Sequence, residues 1–418
     1  MNLKIIEKNK GITLTVLVIT IAVILILSGV TINAIFADDG LINKSRDLQK
    51  KANQNIKTGT EDVDDLVNVL DNEMKQENTP GEDDKVTIAK IINIVVTENT
   101  KIEDAYGNKI TIPKGFKIVP NGKNELTGDV TYTYSGDNVP AVQDGIVIEN
   151  EKDGNQFVWV PVGNIKNKDN TTTTITLGRY SNFLIKDGAI ASGQPVQVAS
   201  IENVLEEVSV NTYYKELSTF REGTTVESVN AKNATARNLI EFISTTLENG
   251  GYYIARYEAS GTTKAKSQYN QPASTNVTQI EAAKLARDMY GEIKENNELI
   301  YASDLVNSYA WDTAIIFIET CSTEEDASSY GTKSKSATVL NTGINADKYC
   351  NIWDMSSNVI EWSTEYTYYS HDDDYYPATR RGGYALGGSA NASTGYRLLY
   401  SQTGSDNTCG FRPILYVK

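Results

Sequence analysis

The chain has 418 residues and a formal net charge of -15, which leaves room for two or three domains of roughly 150 residues each. The acidic balance argues against a nucleic acid partner, because phosphate backbones are held by clustered lysine and arginine side chains. Three cysteines without a C-x-x-C spacing exclude a zinc knuckle and a thioredoxin-type site. The single histidine, His371, has no nucleophile motif near it, so imidazole-based catalysis is not indicated.

The first strong pattern is an apolar run near the N-terminus. Residues Ile12 to Phe36 carry no charged side chain and are mostly Ile, Val and Leu. As a helix this run spans about 37 Å, which is enough to cross a bilayer. Lysines precede the run and Asp38 and Asp39 follow it, so the positive-inside rule places the N-terminus in the cytoplasm. We expect a single-pass protein of the cell membrane with an extracellular C-terminal domain.

The segment KGITLTVLVITIAVILILSGVTI resembles the type IV prepilin leader and stem of Gram-positive bacteria. The resemblance implies a leader over residues 1–11, cleavage after Gly11 and methylation of Ile12. Val16 stands where the family has the glutamate that helps to register subunits in a pilus. Membrane anchoring is therefore the main expectation, and a minor pilin subunit that assembles with pilin-like partners is the alternative.

Three short segments lead from the membrane to the main domain. Apolar residues continue at helical spacing to about Glu77, which predicts a transmembrane and stem helix over residues 12–77. Residues 78–85, NTPGEDDK, have the composition of a linker. From 86 to 143 the stretches VTIAKIINIVV, KITIPKGFKIV and DVTYTYS alternate apolar and polar residues. They predict the strands of a small β-rich spacer module.

Strand and helix patterns alternate in the main domain, residues 144–418. GIVIENEKDGNQFVWVPVG predicts two strands joined by a turn at 152–154, and GGYYIARYEAS predicts another strand. Residues 234–247 and 278–290 have helical spacing and end at glycines. In ELIYASDLVNSYAWDTAIIFIE we expect Ser303 or Asp304 to cap a third helix. The pattern indicates an α+β domain.

Three motifs near the C-terminus carry a family resemblance. NIWDMSSNVIEW at 351–362, RGG at 381–383 and GFR at 410–412, together with FVWVPVG, resemble the formylglycine-generating, or sulfatase-modifying, enzyme family in sequence and order. That family folds as a variant of the C-type lectin, so the resemblance implies a C-type-lectin-like α+β domain. It also implies that Trp353 and Trp362 anchor the core and that Asn358 bonds loop backbone.

Catalysis in that family depends on two copper-binding cysteines just after the RGG segment. The matching positions here are Gly387 and Ala392, and no cysteine occurs between Cys350 and Cys409. Because Cu(I) requires soft thiolate ligands, we expect no copper and no enzyme activity, and an oxidase of this type is the disfavoured alternative. Cys350 and Cys409 either form a disulfide or are buried free thiols.

The resemblance also implies a calcium site. In the family a structural calcium ion is held by side chains matching Asp354 and Glu361 and by carbonyl groups matching Ser357 and Val359. Calcium prefers six to eight such oxygen ligands. Ser357 departs from the glycine usual at its position, and its β-carbon alters the backbone conformations open to the loop. A calcium-bound loop and a metal-free structural loop both remain open.

The stretches between the motifs are rich in Tyr, Ser, Asn, Asp and Gly, as are many binding surfaces. In C-type lectin folds the loops of this region form the exposed ligand face. We therefore expect an adhesin-like protein that binds a surface protein or a glycan. Similar tails occur in lectin-fold proteins diversified by retroelements, which is a further hypothesis for this chain. The predicted ligand-binding residues are Tyr366, Tyr368, Tyr369, Tyr375, Tyr376, Arg380, Tyr384, Asn391, Tyr396 and Tyr400.

Overall fold

The computed structural model describes residues 88–418, except for 121, 124–129, 133–139, 180–184, 187–188, 191–195, 198–207, 210–213, 217–235, 323–329, 331–337, 346, 368–369, 372–373, 376–377, 386–393 and 402. The predicted leader, transmembrane and stem helix and linker lie outside the described residues. Within the described ranges, no helix is long and apolar enough to cross a membrane. Residues 80–418 group as one compact unit.

The centre of this unit is an antiparallel seven-stranded sheet. From one edge to the other its strands are β17 (Glu292–Glu295), β18 (Glu298–Leu305), β27 (Pro413–Val417), β16 (Gly251–Ala255), β7 (Gln156–Pro161), β6 (Val147–Asn150) and β3 (Phe116–Ile118), numbered in chain order. Its middle strands are buried on both faces, as in β7, where all six residues are buried. Such strands have continuous apolar runs instead of an alternating pattern.

A second sheet of six strands carries the C-terminal motifs. Its strands are β14 (Val208–Ser209), β15 (Tyr214–Glu216), β21 (Ile360–Thr367), β24 (Ala378–Arg381), β25 (Arg397–Tyr400) and β26 (Cys409–Phe411). β21 pairs antiparallel with β24, β24 pairs with β25, and β26 lies parallel to β21. Arg412 separates β26 from β27, so the GFR segment passes directly from the second sheet into the first.

Helices with clear end signals pack on these sheets. The helices are α1 (Ile88–Ile91), α2 (Leu239–Asn249), α3 (Gln279–Asp288) and α4 (Ser308–Cys321), with a 3-10 turn at Val142–Asp144. Asn238, Thr278 and Asn307 are the N-caps of α2, α3 and α4, and each side chain accepts a hydrogen bond from the backbone three residues later. Helix α4 is buried from Ser308 to Ile318 and contacts strands of both sheets.

Among the described residues, short two-stranded ribbons make up the remaining strands. They are β1 (Thr100–Glu103) with β2 (Lys109–Ile112), β4 (Gly122–Lys123) with β5 (Val130–Tyr132), β8 (Gly163–Lys166) with β9 (Thr172–Ile175), β10 (Gly178–Arg179) with β13 (Val196–Gln197), β11 (Ile185–Lys186) with β12 (Ala189–Ile190), β19 (Lys348–Tyr349) with β20 (Ile352–Trp353), and β22 (Ser370–His371) with β23 (Asp374–Tyr375). The mixed helix and sheet content confirms the predicted α+β class.

The structure differs from the sequence predictions at three places. The third helix begins at Ser308 with Asn307 as its cap, so the predicted cap at Ser303 or Asp304 is wrong, and both residues belong to strand β18. Part of VTIAKIINIVV forms the short helix α1 instead of a strand. Strand β3 pairs with β6, so the predicted boundary between residues 143 and 144 falls inside the seven-stranded sheet.

Candidate functional site

Strands β21, β24 and β25 carry motif residues, and successive side chains along each strand point to opposite faces of the second sheet. Arg380 and Arg381 are neighbours on β24, so their side chains leave opposite faces of the sheet. Arg381 pairs in register with Arg397, and Arg380 pairs with Trp362. The Arg381 side chain bonds Asp312 on α4, whereas Arg380 stacks on aromatic rings at the other face. The two faces have different chemistry.

The inner face holds a fully buried network of five charged side chains. The carboxylate of Asp312, on α4, accepts hydrogen bonds from Arg381 and, at 2.6 Å, from Arg397 Nη2. The carboxylate of Glu365, on β21, accepts from Arg397 Nε at 2.8 Å and from Arg179 Nη2 at 3.0 Å. All five side chains are fully buried. One network therefore fastens β21, β24 and β25 to each other and to α4.

The charges within this network favour the ionised form of the Glu365 carboxylate. Burial alone would raise the pKa of Glu365, but the guanidinium groups of Arg397, Arg179 and Arg381 outweigh burial and lower this pKa to about 2. Burial and the neighbouring Arg397 lower the pKa of Arg381, against the attraction of the two acids. The network is thus an ionic one, and removal of either carboxylate leaves buried guanidinium charge uncompensated.

The outer face presents a stack of aromatic rings around Arg380. The Arg380 guanidinium carbon lies 3.7 Å from the centre of the Tyr400 ring and 5.7 Å from that of Trp362. Arg380 Nη1 also donates to Asp406 Oδ2 at 2.6 Å, and Trp362 Nε1 donates to the Val277 carbonyl at 2.8 Å. Arg380 is only 5% exposed. In the structure it holds Tyr400 in place, while Tyr400 itself is half-buried.

The loop over residues 350–358 depends on left-handed backbone. Cys350, Asn351, Asp354 and Asn358 have φ values of 44°, 61°, 63° and 67°. Asn and Asp tolerate this conformation better than most residues, which explains their positions in the NIWDMSSNVIEW stretch. The Asn358 side chain donates to Glu258 and accepts from the Leu340 backbone N–H at 2.7 Å. The expectation that Asn358 bonds loop backbone is met by this geometry.

The RGG and GFR motifs require glycine at Gly382 and Gly410, because neighbouring atoms lie too close to the backbone for a β-carbon. A β-carbon at Gly382, where φ is 86°, would lie 2.7 Å from the Met355 carbonyl oxygen. A β-carbon at Gly410 would lie 2.6 Å from Val359. Both distances are below van der Waals contact, so RGG and GFR pack directly on the signature loop, residues 350–359. The motifs form one structural unit.

The residues predicted to bind calcium have other partners. Both oxygens of Glu361 accept from Arg412, which reaches Oε1 through Nη2 at 2.7 Å and Oε2 through Nε at 3.0 Å. Asp354 Oδ2 accepts from the Gly343 N–H at 2.8 Å, and the Ser357 hydroxyl donates to Asp347. Among the described residues, no three His, Cys, Asp or Glu side chains are grouped to hold a metal ion. Asp354 Oδ1, however, is buried without a hydrogen-bond partner, and the calcium site stays a prediction.

Two buried acidic residues beside this loop were not predicted from the sequence. Glu258 accepts from the Val359 N–H at 2.9 Å, and Asp347 accepts from the Ser356 N–H at 3.0 Å. Burial, with the charges of Asp354 and Glu361, raises the pKa of Glu258 well above its usual range. The tyrosine–glutamate pair of GGYYIARYEAS was the available signal for Glu258. Asp347 lies in no motif.

The predicted binding residues whose side chains the structure describes are Arg380, within β24, and Tyr384, Tyr396 and Tyr400. The segment 368–377 joins β21 to β24 at one end, and the segment 382–396 joins β24 to β25 at the other. At the second end Tyr384 and Tyr396 are both half-buried. Burial, followed by the charge of Tyr384, raises the pKa of Tyr396. Tyr400 pairs in register with Ala378, at the first end.

For the remaining predicted binding residues the structure gives backbone at most. Tyr366 lies in β21 and Tyr375 in β23. The others are outside the described residues, as are the positions that match the family's copper ligands: Tyr368, Tyr369, Tyr376, Asn391, Gly387 and Ala392.

The three cysteines are free thiols. Cys350 and Cys409 are both buried, so the pair corresponds to buried free thiols and not to a disulfide. Burial raises the pKa of Cys409 to about 12, and it raises that of Cys321 likewise to about 12. Neither of these two thiols is therefore ionised near neutral pH, and an unionised thiol is a poor nucleophile and a poor metal ligand.

No family model matches the sequence, and no curated protein matches it either. Solved structures that align with the chain include CarF, with 13% identity over 40% of this chain and 87% of that one and a TM-score of 0.28. Treponema denticola variable protein 1 has 12% identity over 63% and 96%, with a TM-score of 0.23. The Major Tropism Determinant M1 variant has 12% identity over 80% and 99%, with a TM-score of 0.27. Scores in this range carry no argument about this chain.

Proposed function

We propose that this chain is a membrane-anchored surface protein of the adhesin type, which binds a surface protein or a glycan through the tyrosine-rich segments of its second sheet. The observation that supports this proposal is the buried ionic network of Arg179, Asp312, Glu365, Arg381 and Arg397. It fixes the three strands that carry the segments 368–377 and 382–396. A binding surface gains affinity when its supports are rigid before the ligand arrives.

The chemistry of the outer face supports the same proposal. Tyr400 on this face, and Tyr384 and Tyr396 at the other end of β24, are half-buried, so part of each residue stays accessible. Tyrosine offers a large contact area and a hydroxyl group at a low cost in conformational entropy. Arg380 acts as a positioning residue, because it stacks on Tyr400 and is held in turn by Asp406. The aromatic surface is therefore preorganised.

The order of the NIWDMSSNVIEW, RGG and GFR motifs supports a C-type-lectin-like arrangement for this domain. A binding role is favoured over oxidation, because the sequence has no cysteine between Cys350 and Cys409 to act as a copper ligand. Diversification of the tyrosine-rich segments by a retroelement is part of the proposal. A reverse transcriptase gene and a near-copy of the segment encoding residues 362–412 beside the gene would support it.

The proposal is tested by probing the full chain, in detergent, against an array of glycans and bacterial surface proteins. We expect saturable binding to at least one probe, which the double variant Tyr384→Ala, Tyr396→Ala loses. Tyr106→Ala is the matched control, because Tyr106 is a half-buried tyrosine in a turn far along the chain from both segments. Binding that survives in the double variant, or no binding to any probe, would contradict the proposal.

A further inference from the structure

A groove of about 450 Å³ lies on the surface beside the signature loop. Three of its lining residues, Val339, Leu340 and Ile344, are large apolar side chains with exposed fractions of 37%, 38% and 42%. In the part of the chain that the structure describes, Ile94 is the one other large apolar residue classed as exposed. Pro272 and Ala273 complete the apolar lining. The exposed apolar surface of the described residues is thus concentrated at one place.

The groove is held open by the signature loop. Asn358 clamps Leu340, because its Oδ1 accepts from the Leu340 N–H at 2.7 Å and its Nδ2 donates to the Leu340 carbonyl at 3.2 Å. Asp354 Oδ2 accepts from the Gly343 N–H at 2.8 Å. The Thr342 N–H donates to the Gln271 carbonyl, also at 2.8 Å. These hydrogen bonds hold the backbone of 340–343 in the arrangement that leaves Val339, Leu340 and Ile344 exposed.

The lining favours aliphatic side chains as ligands. The lining residues that the structure describes include no charged and no aromatic side chain, whereas sugar-binding surfaces present polar groups and aromatic rings to hydroxyls and ring faces. Its two amides, Asn270 and Asn341, already bond each other, with Asn341 Nδ2 donating to Asn270 Oδ1 at 2.9 Å. Few hydrogen-bonding groups therefore remain for a hydroxyl-rich molecule. Removal of apolar surface from water is the main gain that this groove offers a ligand.

The size of the groove distinguishes between two apolar occupants. A stable interface between two copies of a protein buries about 800 Å² on each partner, which is more than the seven lining residues that the structure describes provide. Two copies that each carry a net charge of -15 also repel each other. A short segment of another protein needs only two or three side chains to fill the groove.

We infer that the groove formed by Pro272, Ala273, Val339, Leu340 and Ile344 is a docking site for a short peptide segment of a partner protein. The segment inserts two or three aliphatic side chains and remains uncharged where it lies in the groove. Its described lining residues lie outside the tyrosine-rich segments, so substitutions can test this site apart from the proposed ligand-binding function. The signature loop then has a second role, since it presents a rigid apolar surface.

The experiment selects peptides from a random twelve-residue phage library on the immobilised full chain in detergent. We expect selected peptides to share a short stretch with two or three aliphatic residues. The Leu340→Asn and Ile344→Asn variants are expected to weaken their binding at least about tenfold, since truncation of a central apolar contact has effects of this size. Ile94→Asn is the matched control, because Ile94 is more exposed, at 54%, and does not line the groove.

Two further measurements make the outcome decisive. Thermal unfolding should be nearly the same for all three variants, because each replaces an exposed side chain, so lost binding cannot reflect misfolding. Selection without aliphatic enrichment, or peptides that bind Leu340→Asn as well as the original chain, would overturn the inference. A dimer in sedimentation that Leu340→Asn dissociates would also overturn it and would assign the groove to a second copy of the chain.

Discussion

The Glu365→Gln substitution tests most directly whether the buried ionic network stabilises the strands that carry the tyrosine-rich segments. The substitution keeps the shape of the side chain and removes its charge, which leaves Arg179 and Arg397 without one of their carboxylate partners. A pKa moved from its usual 4.5 to about 2 corresponds to about 3 kcal/mol of stability. Loss of one partner from a buried ion pair costs a similar amount, about 3–5 kcal/mol.

The pH dependence of this loss has a definite sign. Because the pKa of Glu365 is lowered in the folded protein, its contribution to stability is complete above about pH 4.5 and is lost as the pH falls toward 2. The variant lacks the contribution at every pH. The difference in unfolding free energy between the two proteins should therefore be about 3 kcal/mol near neutral pH and should shrink across that acid range.

Urea unfolding at a series of pH values measures the difference. Glu295→Gln is the control, because Glu295 forms an exposed ion pair with Lys114 at 3.3 Å, and exposed pairs contribute only about 0–1 kcal/mol. A Glu365→Gln protein as stable as the control near neutral pH would refute the ionic network. So would a difference that stays constant down to pH 2.

Three further predictions concern the signature loop and the thiols. Asn358→Ala should lower the unfolding free energy by about 2–4 kcal/mol, because Glu258 loses a buried hydrogen bond and Leu340 loses a partly buried one. Asn358→Gly should cost about 1 kcal/mol less, since φ is 67°, and equal losses in urea unfolding would contradict this backbone effect. Neither a chelator nor added calcium should change the thermal midpoint, because Arg412 bonds both oxygens of Glu361. A clear rise of the midpoint with calcium would show that the ion displaces Arg412 from Glu361. Cys409 should resist iodoacetamide in the folded protein at mildly alkaline pH, because burial raises its pKa to about 12; rapid labelling detected by mass spectrometry would contradict the buried thiol.

The helices whose ends have local signals could be predicted from the sequence. Thr278 and Glu281 form a capping box at the start of α3, and Gly250 ends α2 in a left-handed conformation. The hairpin of β6 and β7 was predictable for the same reason, since Gly154, with φ of 68°, lies in the turn between them. Local chemistry determines these boundaries.

Strand β18 could not be predicted in the same way. Its residues from Tyr301 to Leu305 are buried without alternation, so both faces of the strand are covered there. The strand is also paired on both sides, with β17 and β27. A short apolar run of this kind has the same sequence pattern as the start of a buried helix. The prediction therefore merged β18 with α4. Only the long-range pairing with the last strand of the chain distinguishes the two.

The candidate site also combines features that local sequence patterns predict with features that depend on long-range contacts. The sequence order of the motifs predicted that NIWDMSSNVIEW, RGG and GFR belong together, and Gly382 and Gly410 do pack on that loop. The inner network joins Arg179 to Glu365 across 186 residues and Asp312 to Arg397 across 85. No local pattern marks such partners, since isolated Arg, Asp and Glu residues are usually on the surface. Their roles follow only from the tertiary structure.

The central claim is that the tyrosine-rich segments of the second sheet bind a ligand. Its most direct test is the equilibrium dissociation constant of the full chain for the best probe on the array, measured with the original protein and with the Tyr384→Ala, Tyr396→Ala variant. We predict binding at least about tenfold weaker in the variant, with a cooperative thermal transition retained and with Tyr106→Ala binding normally. An unchanged dissociation constant in the double variant would contradict the claim.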